Sequence, residues 1–339
     1  MDMVYFLFRQ MLNFAIPLVL VSLGGVFSVQ SGVNNIGLEG MMSFGAFCSL
    51  LFLSLTEGVM EGQPQLILAI AIAAASGMLI SVVHALAAIS FRANQIISGA
   101  AINNFAPAFT IFTARLILGD SIIPFKNTFM IDEVPLLSKI PIIGDILFSK
   151  VYLTTYLGLA VLGASIFVLY KTRFGLRLRA CGEHPQAPDS VGVNVIRIRY
   201  ISVLLSGALA GVGGLVYVIP NATTFNGSVY GYGFLALAVM MLGQWTPQRV
   251  FWWALFFGTT MTISATYSAI PFLNSLGLSA NYFKASPHNC VCGLRPIFRP
   301  IRAGIKGGNT YSIPALLSLS YEAKSLAECA CQIVRCCLK

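Results

Sequence analysis

The chain has 339 residues, of which 57% are hydrophobic and only 10% are charged, and its mean hydropathy is +0.80. Because a soluble domain carries about 25% charged residues, this composition excludes an ordinary soluble protein. The net charge of +9 does not indicate nucleic-acid binding, because the basic residues concentrate in one internal loop and after residue 280.

The apolar residues fall in long runs that lack the one-sided pattern of a surface helix. A helix needs about 20 such residues to cross a bilayer. We therefore predict an all-α polytopic membrane protein with about eight transmembrane helices and one large cytoplasmic loop. In chain order, the predicted helices cover residues 11–30, 41–56, 66–90, 97–118, 151–170, 200–219, 233–247 and 251–270.

Polar residues interrupt the apolar sequence between the first two predicted helices. Asn34, Asn35 and Glu39 lie there, in a run that also contains Gly32 and Gly37. Non-helical backbone near membrane depth is tolerated only where it is buried in protein or lines a cavity. We predict that these residues line a substrate path, although Glu39 also has a structural interpretation, because a carboxylate beside a helix N-terminus is favourable.

A second polar group lies well inside the fourth predicted helix. Asn103 and Asn104 are followed by Phe105. Amides and aromatic rings suit a neutral, hydroxyl-rich or heterocyclic solute, because they form hydrogen bonds and stack without requiring charge. We assign all three residues to the predicted path. The alternative is that the two asparagines form hydrogen bonds to neighbouring helices.

The loop at 171–199, KTRFGLRLRACGEHPQAPDSVGVNVIRIR, contains six lysine and arginine residues. Cytoplasmic loops carry an excess of these residues, so we place this loop inside. Residues 119–150 and the uncharged stretch 220–232 are then outside, and counting back places the N-terminus outside as well. His84 lies near the inner end of the third helix, where we expect it to be hydrated at the interface.

Four segments resemble the permease subunits of bacterial ABC importers in the branched-chain amino acid, ribose and nucleoside family. The nearest pattern is the shorter permease of simple-sugar and nucleoside systems. The matching segments are SLGGVFSVQSGVNNIGLEGMMSFGAF at 22–47, ANQIISGAAINNFAPAFTIF at 93–112, GLRLRACGEHPQAPDSVGVNVIRIRY at 175–200 and GYGFLALAVMMLGQWTPQ at 231–248.

The resemblance implies a multi-pass protein of the bacterial inner membrane that transports nucleosides, with purine nucleosides favoured over simple sugars. It also implies three partners: a second homologous permease, an ATP-binding subunit with two nucleotide-binding halves, and a substrate-binding lipoprotein. The chain has no GxxxxGK[ST] loop, so we expect no ATP site of that kind. We accordingly predict that the chain is not an enzyme and binds no cofactor of its own.

The resemblance further implies that the loop at 171–199 docks the ATPase through a short amphipathic helix near 185–191. Arg177 and Arg179 would pair with acidic groups of the ATPase, and Glu183 would cap the helix or bind an arginine of the partner. Alternatively, the arginines only anchor the loop at lipid headgroups. The predicted coupling residues are Arg177, Arg179, Gly182, Glu183, His184, Pro185, Ala187 and Gly192.

Two features depart from the family pattern. Pro188 replaces the second of two alanines, and we expect it to shorten or kink the docking helix. The family's last apolar helix is missing after Lys284, where a Cys- and Arg-rich stretch begins. We therefore predict a permease domain at 1–284 and a tail at 285–339 that is either disordered or read out of frame.

The tail does not suggest a metal site, because its cysteine spacings do not match the CxxC pairs of structural zinc sites. The sequence also allows two alternatives to an ABC permease. An ion-coupled secondary transporter would place carboxylates at the middle of its helices, and we find none well inside a predicted span. A frameshifted, non-functional permease is the other alternative.

Overall fold

The computed structural model describes residues 2–60, 62–126, 129–133 and 149–266. The predicted boundary near 284 and the tail at 285–339 lie outside the described residues. The helices are α1 (Asp2–Gln30), α2 (Leu38–Leu55), α3 (Gln63–Ala85), α4 (Gln95–Leu118), α5 (Leu153–Lys171), α6 (Arg173–Glu183), α7 (Gln186–Ser190), α8 (Val195–Asn221), α9 (Tyr232–Leu242) and α10 (Pro247–Thr266). A π-helical turn, Leu86–Ser90, extends α3.

Six of the described helices, α1 to α5 and α8, are long and apolar enough to cross a membrane. The prediction of an all-α polytopic membrane protein is therefore confirmed. The predicted helix at 233–247 is too long, because α9 has only 11 residues. It ends where Gln244 and Trp245 adopt left-handed φ angles of 50° and 54°, a conformation that a right-handed helix cannot continue through.

Four short strands were not predicted; three lie within the segments assigned to the outside, and the fourth, Ser149–Tyr152, also takes the first two residues of the helix predicted at 151–170. Strand β1 (Ile123–Pro124) pairs with β4 (Thr224–Phe225), and β2 (Met130–Glu133) pairs with β3 (Ser149–Tyr152). Both pairs are antiparallel. The β1–β4 pair joins the segment after α4 to the segment after α8.

The described residues up to Thr262 form one compact unit, in which α8 packs along α1, α2 and α3. The packing is close because glycines remove side chains at the crossings. A Cβ atom on Gly45 would overlap Gly211 of α8, and one on Gly214 would overlap the carbonyl of Met42. Helices in membranes associate through such small residues.

The direction of α1 follows from its neighbours. Gln10 donates a hydrogen bond to Asn221 at the end of α8 (3.4 Å), whereas Gln30 lies beside Gly182 at the cytoplasmic loop. The N-terminal part of α1 therefore lies at the outer end of the bundle, as counting back from the basic loop predicts. The connection from α1 to α2 therefore starts at the cytoplasmic side of the bundle and leads to the start of α2 inside it.

Candidate functional site

Residues 31–37 connect α1 to α2 without helical structure, and buried polar groups hold this connection in place. Asn35 is 1% exposed. Its side-chain oxygen accepts the backbone N–H of Gly37 (3.1 Å), and its amide donates to the Ser206 hydroxyl of α8 (2.9 Å). Buried polar groups are costly unless they are paired, so these bonds assign Asn35 to the support of the connection.

Asn34 acts through its backbone. Its N–H donates to the Gln95 side chain (2.8 Å), and its carbonyl oxygen lies 3.2 Å from Nε2 of His84. The other ring nitrogen of His84 lies 3.1 Å from the Ser98 hydroxyl. The expectation that His84 is hydrated at the interface is wrong, because its side chain is fully buried and both ring nitrogens have protein partners.

Asn103 of α4 holds the first turn of α2 from the side. Its side-chain oxygen accepts the N–H of Gly40 (2.8 Å), and its amide donates to the carbonyl of Ile36 (2.9 Å). The first N–H groups of a helix have no partner within the helix. Asn103 satisfies one of them and also one carbonyl of the connection, as the interhelical alternative expects.

Glu39 connects the start of α2 to the start of α9. One carboxylate oxygen accepts the N–H of Gly231 (2.8 Å), and the other accepts the N–H of Gly233 (2.6 Å). The positive end of a helix dipole favours a carboxylate at this position. The side chain is 8% exposed, so the structural interpretation of Glu39 describes its placement.

Residues 226–231 enter the bundle rather than staying outside it. The preceding strand β4 pairs with β1, but Gly227 packs against Pro107 and Thr110 in the middle of α4. Its carbonyl accepts the hydroxyl of Ser43 (2.5 Å). The expectation that all of 220–232 lies outside is therefore wrong for this re-entrant segment, which descends to Gly231 before α9 begins.

Asn104 and Phe105 are adjacent in sequence but face different sides of α4. Residues seven apart share a helix face to within about 20°, so Asn104 lies on the face of Ile111, which packs against Gly227. The ring of Phe105 stacks instead on Phe109 (5.5 Å between centroids). Both residues are exposed, but only Asn104 lies on the side of the re-entrant segment.

The cytoplasmic loop contains the expected short helix, α7, from Gln186 to Ser190, and also a longer helix, α6, that was not predicted. Pro188 is tolerated at the third position of α7, where the missing N–H has no helical partner to lose. Its carbonyl accepts the N–H of Val193 (2.9 Å). An open groove of about 520 Å³ runs beside α7.

Seven of the eight predicted coupling residues are exposed: Arg177, Gly182, Glu183, His184, Pro185, Ala187 and Gly192. The exception is Arg179, which is half-buried. Its guanidinium lies 5.4 Å above the ring of Tyr170, a favourable cation–π arrangement. Arg177 is therefore better placed than Arg179 to meet a partner.

Both ends of the part of this loop that contains α7, residues 182–199, rest on the end of α1. Gly182 packs so closely on the carbonyl of Gln30 that a Cβ atom would overlap it. At the other end, Nε of Arg199 donates to the carbonyl of Ser31 (3.2 Å). Cys181 is buried between these contacts. Burial raises the pKa of its thiol, while the nearby Arg199 lowers it in part.

Comparison with known proteins identifies the family. The sequence model of the family described as "Branched-chain amino acid transport system / permease component" matches residues 7–284. The chain belongs to this permease family. It is therefore a multi-pass inner-membrane protein and a component of a transporter complex with other subunits. This confirms the resemblance of the four sequence segments.

The permease is 46% identical over 271 residues to the guanosine ABC transporter permease protein NupQ of Bacillus subtilis (strain 168), an overlap of 78% of the chain and 83% of NupQ. It is 39% identical over 279 residues to the nucleoside ABC transporter permease protein NupC of Lactococcus lactis subsp. cremoris (strain MG1363), or 82% of the chain and 87% of NupC. A putative glucose ABC transporter permease protein of Haloferax volcanii, TsgC13, is 31% identical over 245 residues, or 72% of each chain. No solved structure matches the permease.

The geometry divides the predicted path residues of the permease into two groups. Asn34, Asn35, Glu39 and Asn103 hold the connection at 31–37 and the two helix starts beside it. Asn104 and Phe105 are exposed, and of these two only Asn104 lies on the side of the re-entrant segment. Sequence reasoning missed that segment, because its glycines and uncharged polar residues are typical of an external loop.

Proposed function

We propose that this permease is a transmembrane subunit of an ATP-driven ABC importer of nucleosides, with purine nucleosides favoured. The observation that carries the proposal is the similarity, over most of both chains, to permeases named for guanosine and for nucleosides. The relative named for glucose is less similar, at 31% identity, which supports nucleosides over simple sugars.

The permease forms half of the translocation path, and a second homologous permease forms the other half. Asn104 supports this division, because it is exposed within the membrane-spanning helix α4. Polar groups that face lipid are costly, whereas those that line a cavity are tolerated. A second subunit over this face of α4 would enclose a path lined by Asn104 and the re-entrant segment.

Energy reaches the permease from an ATP-binding subunit with two nucleotide-binding halves, which docks on the cytoplasmic loop at 171–199. The exposure of Arg177, Glu183 and Gly192, together with the groove beside α7, supports this docking surface. A substrate-binding lipoprotein delivers the solute at the outer side. The permease hydrolyses no ATP and carries no cofactor of its own.

The described carboxylates disfavour the ion-coupled alternative. Among the described residues of the six candidate spans, Glu39 is the only aspartate or glutamate. Both of its oxygens accept backbone N–H groups. Exchange of a coupling ion at Glu39 would break the support of α9, and no second carboxylate in these spans is placed to take over.

We also propose that residues from about 285 onward are read out of frame. The match to the family ends at residue 284, which supports the proposal, and the composition shifts to Cys, Arg and Pro at the same point. Resequencing the gene around codon 285 is the test. An intact reading frame would leave a divergent native tail as the explanation.

Uptake of tritiated guanosine tests the transport function. Deletion of the gene should abolish ATP-dependent uptake, and expression of the full chain should restore it. Unlabelled purine nucleosides should compete for uptake, while glucose and ribose should not. Uptake by the permease alone in vesicles, driven by an ion gradient without ATP, would favour the secondary-transporter alternative. Failure of the chain to restore uptake would favour the non-functional one.

A further inference from the structure

A small cavity lies at the outer side of the permease, where α8 ends and the re-entrant segment begins. Its volume is about 70 Å³, room for about five waters. Its polar lining comes from Tyr217, Asn221, Thr224, Asn226, Ser228 and Tyr230, and none of its lining residues carries a charge. None of them was among the predicted path residues.

Two tyrosines line the cavity with their rings: Tyr217 is held in place by its neighbours, and Tyr230 is exposed. The ring of Tyr217 stacks on Tyr232, with 4.1 Å between centroids. Tyr232 is itself held by a hydrogen bond from its hydroxyl to the carbonyl of Phe14 (2.5 Å), so the inner surface is fixed. Tyr230 is 70% exposed and presents its ring at the mouth.

The backbone of Tyr230 is strained. Its φ angle is +52°, which a bulky L-residue rarely adopts. The Ser228 hydroxyl accepts its N–H (3.1 Å) and helps to hold this conformation. Strained residues of this kind persist only where the surrounding structure holds them, and they cluster at ligand sites.

Neutral hydrogen-bonding groups surround the tyrosines. Asn226 donates its amide to the Tyr230 hydroxyl (2.7 Å) and is exposed. Its side-chain oxygen has no hydrogen-bond partner among the described residues and can accept from a ligand. Asn221 is held by donation of its amide to the carbonyl of Tyr217 (2.7 Å). This combination of aromatic rings and amides suits a neutral heterocycle.

We propose that the mouth of this cavity is an outer substrate site for the base of a purine nucleoside: the cavity of about 70 Å³ admits only an edge of the base, and the rest of the base lies against the exposed ring of Tyr230. The base stacks on Tyr230 and donates a hydrogen bond to Asn226, and the re-entrant segment then leads towards the Asn104 face of α4. Among the described residues that line the cavity none is a cation that could bind a phosphate, so we expect nucleosides to be preferred over nucleoside monophosphates. The proposal deepens the proposed function and rests on it.

The test is guanosine uptake by proteoliposomes that contain the complete importer and saturating binding lipoprotein. Base–aromatic stacking is lost on alanine substitution, so Tyr230→Ala should raise KM about tenfold. Tyr230→Phe keeps the ring and should stay within about threefold of wild type. Trp252→Ala is the matched control, because Trp252 is equally exposed at 70% and does not line the cavity; its KM should not change.

A KM for Tyr230→Ala within twofold of the wild-type value would overturn the proposed site. The proposal would also fail if the only effect of Tyr230→Ala were weaker binding of the lipoprotein to the permease. If Tyr230→Ala fails to assemble with the ATPase, Asn226→Leu, which keeps the side-chain size, provides the same measurement and should raise KM several-fold. A wild-type importer that accumulates no guanosine would instead reject the proposed function. The two failures are therefore distinguishable.

Discussion

The carboxylate of Glu39 accepts the backbone N–H of Gly231, 192 residues further along the chain, at 2.8 Å. This bond, with its companion to Gly233, ties the start of α2 to the start of α9. Glu39→Ala would leave both N–H groups unpaired in a buried site. We expect a loss of about 2–4 kcal/mol in the free energy of unfolding, measurable by denaturation in mixed detergent micelles.

Glu39→Gln is the matched control for charge, because it keeps the size of the side chain. One of the two acceptor oxygens is replaced by an NH2 group, which cannot accept a hydrogen bond, so one of the two N–H groups loses its partner. We expect a loss between those of wild type and Glu39→Ala. Wild-type stability for Glu39→Ala would show that the carboxylate does not support α9.

Asn103 and Asn104 are neighbours in sequence, but Asn103 supports the start of α2 whereas Asn104 is exposed. Asn103→Ala removes bonds to Gly40 and Ile36 and should destabilise the permease by about 1–3 kcal/mol. Asn104→Ala removes an exposed amide on the path face and should leave stability unchanged while altering the KM for nucleosides. Thermal unfolding and uptake kinetics on both variants measure this split, and equal stability losses would contradict it.

The helix crossing of α2 and α8 depends on Gly214. Gly214→Ala would place a methyl group onto the Met42 carbonyl, and overpacking of this kind costs about 1–3 kcal/mol or more. Gly163→Ala is the control, because a Cβ atom there meets nothing within 4 Å. We expect a lower melting temperature only for Gly214→Ala, and a loss of the same size in both variants would rule out close packing as the cause.

Two residues of the cytoplasmic loop, Glu183 and Gly192, should affect association with the ATPase without affecting membrane insertion of the permease. Gly192 has a φ angle of +79° and open space around it, so Gly192→Ala strains the end of α7 by about 1–2 kcal/mol without a clash. Combined with Glu183→Ala, it should abolish co-purification of the ATPase and leave membrane insertion intact. Arg173→Ala, exposed on the same loop but outside the predicted docking residues, should co-purify the ATPase normally.

The reactivity of Cys181 measures how tightly the cytoplasmic loop packs against the end of α1. Because burial raises the pKa of its thiol, the thiolate is scarce at neutral pH, and access is blocked as well. In a chain in which the other cysteines are serine, maleimide should label Cys181 at least about tenfold more slowly than Ser190→Cys, an exposed position. Labelling should accelerate towards alkaline pH. Equal rates at pH 7 would mean that Cys181 is not buried in the membrane-embedded protein.

Sequence reasoning recovered the features that depend on local pattern. Apolar runs located the long helices, and the family pattern of the loop at 171–199 located α7. It could not find the partners of Glu39, because Gly231 and Gly233 carry no local sign that a carboxylate caps them. Nor could it separate Asn103 from Asn104, since only the position of α2 beside α4 makes one amide a support and leaves the other exposed.

The contacts of Gly182 and Arg199 with residues 30–32 fix both ends of the 182–199 segment, which contains α7, to the end of α1. We expect a tilt of this segment to move the end of α1, because its two ends are held together and cannot spread apart. From there the non-helical connection at 31–37 leads directly to Gly40 and Glu39. A movement that begins in the cytoplasm thus arrives where α2, α4 and the re-entrant segment meet, deep inside the bundle.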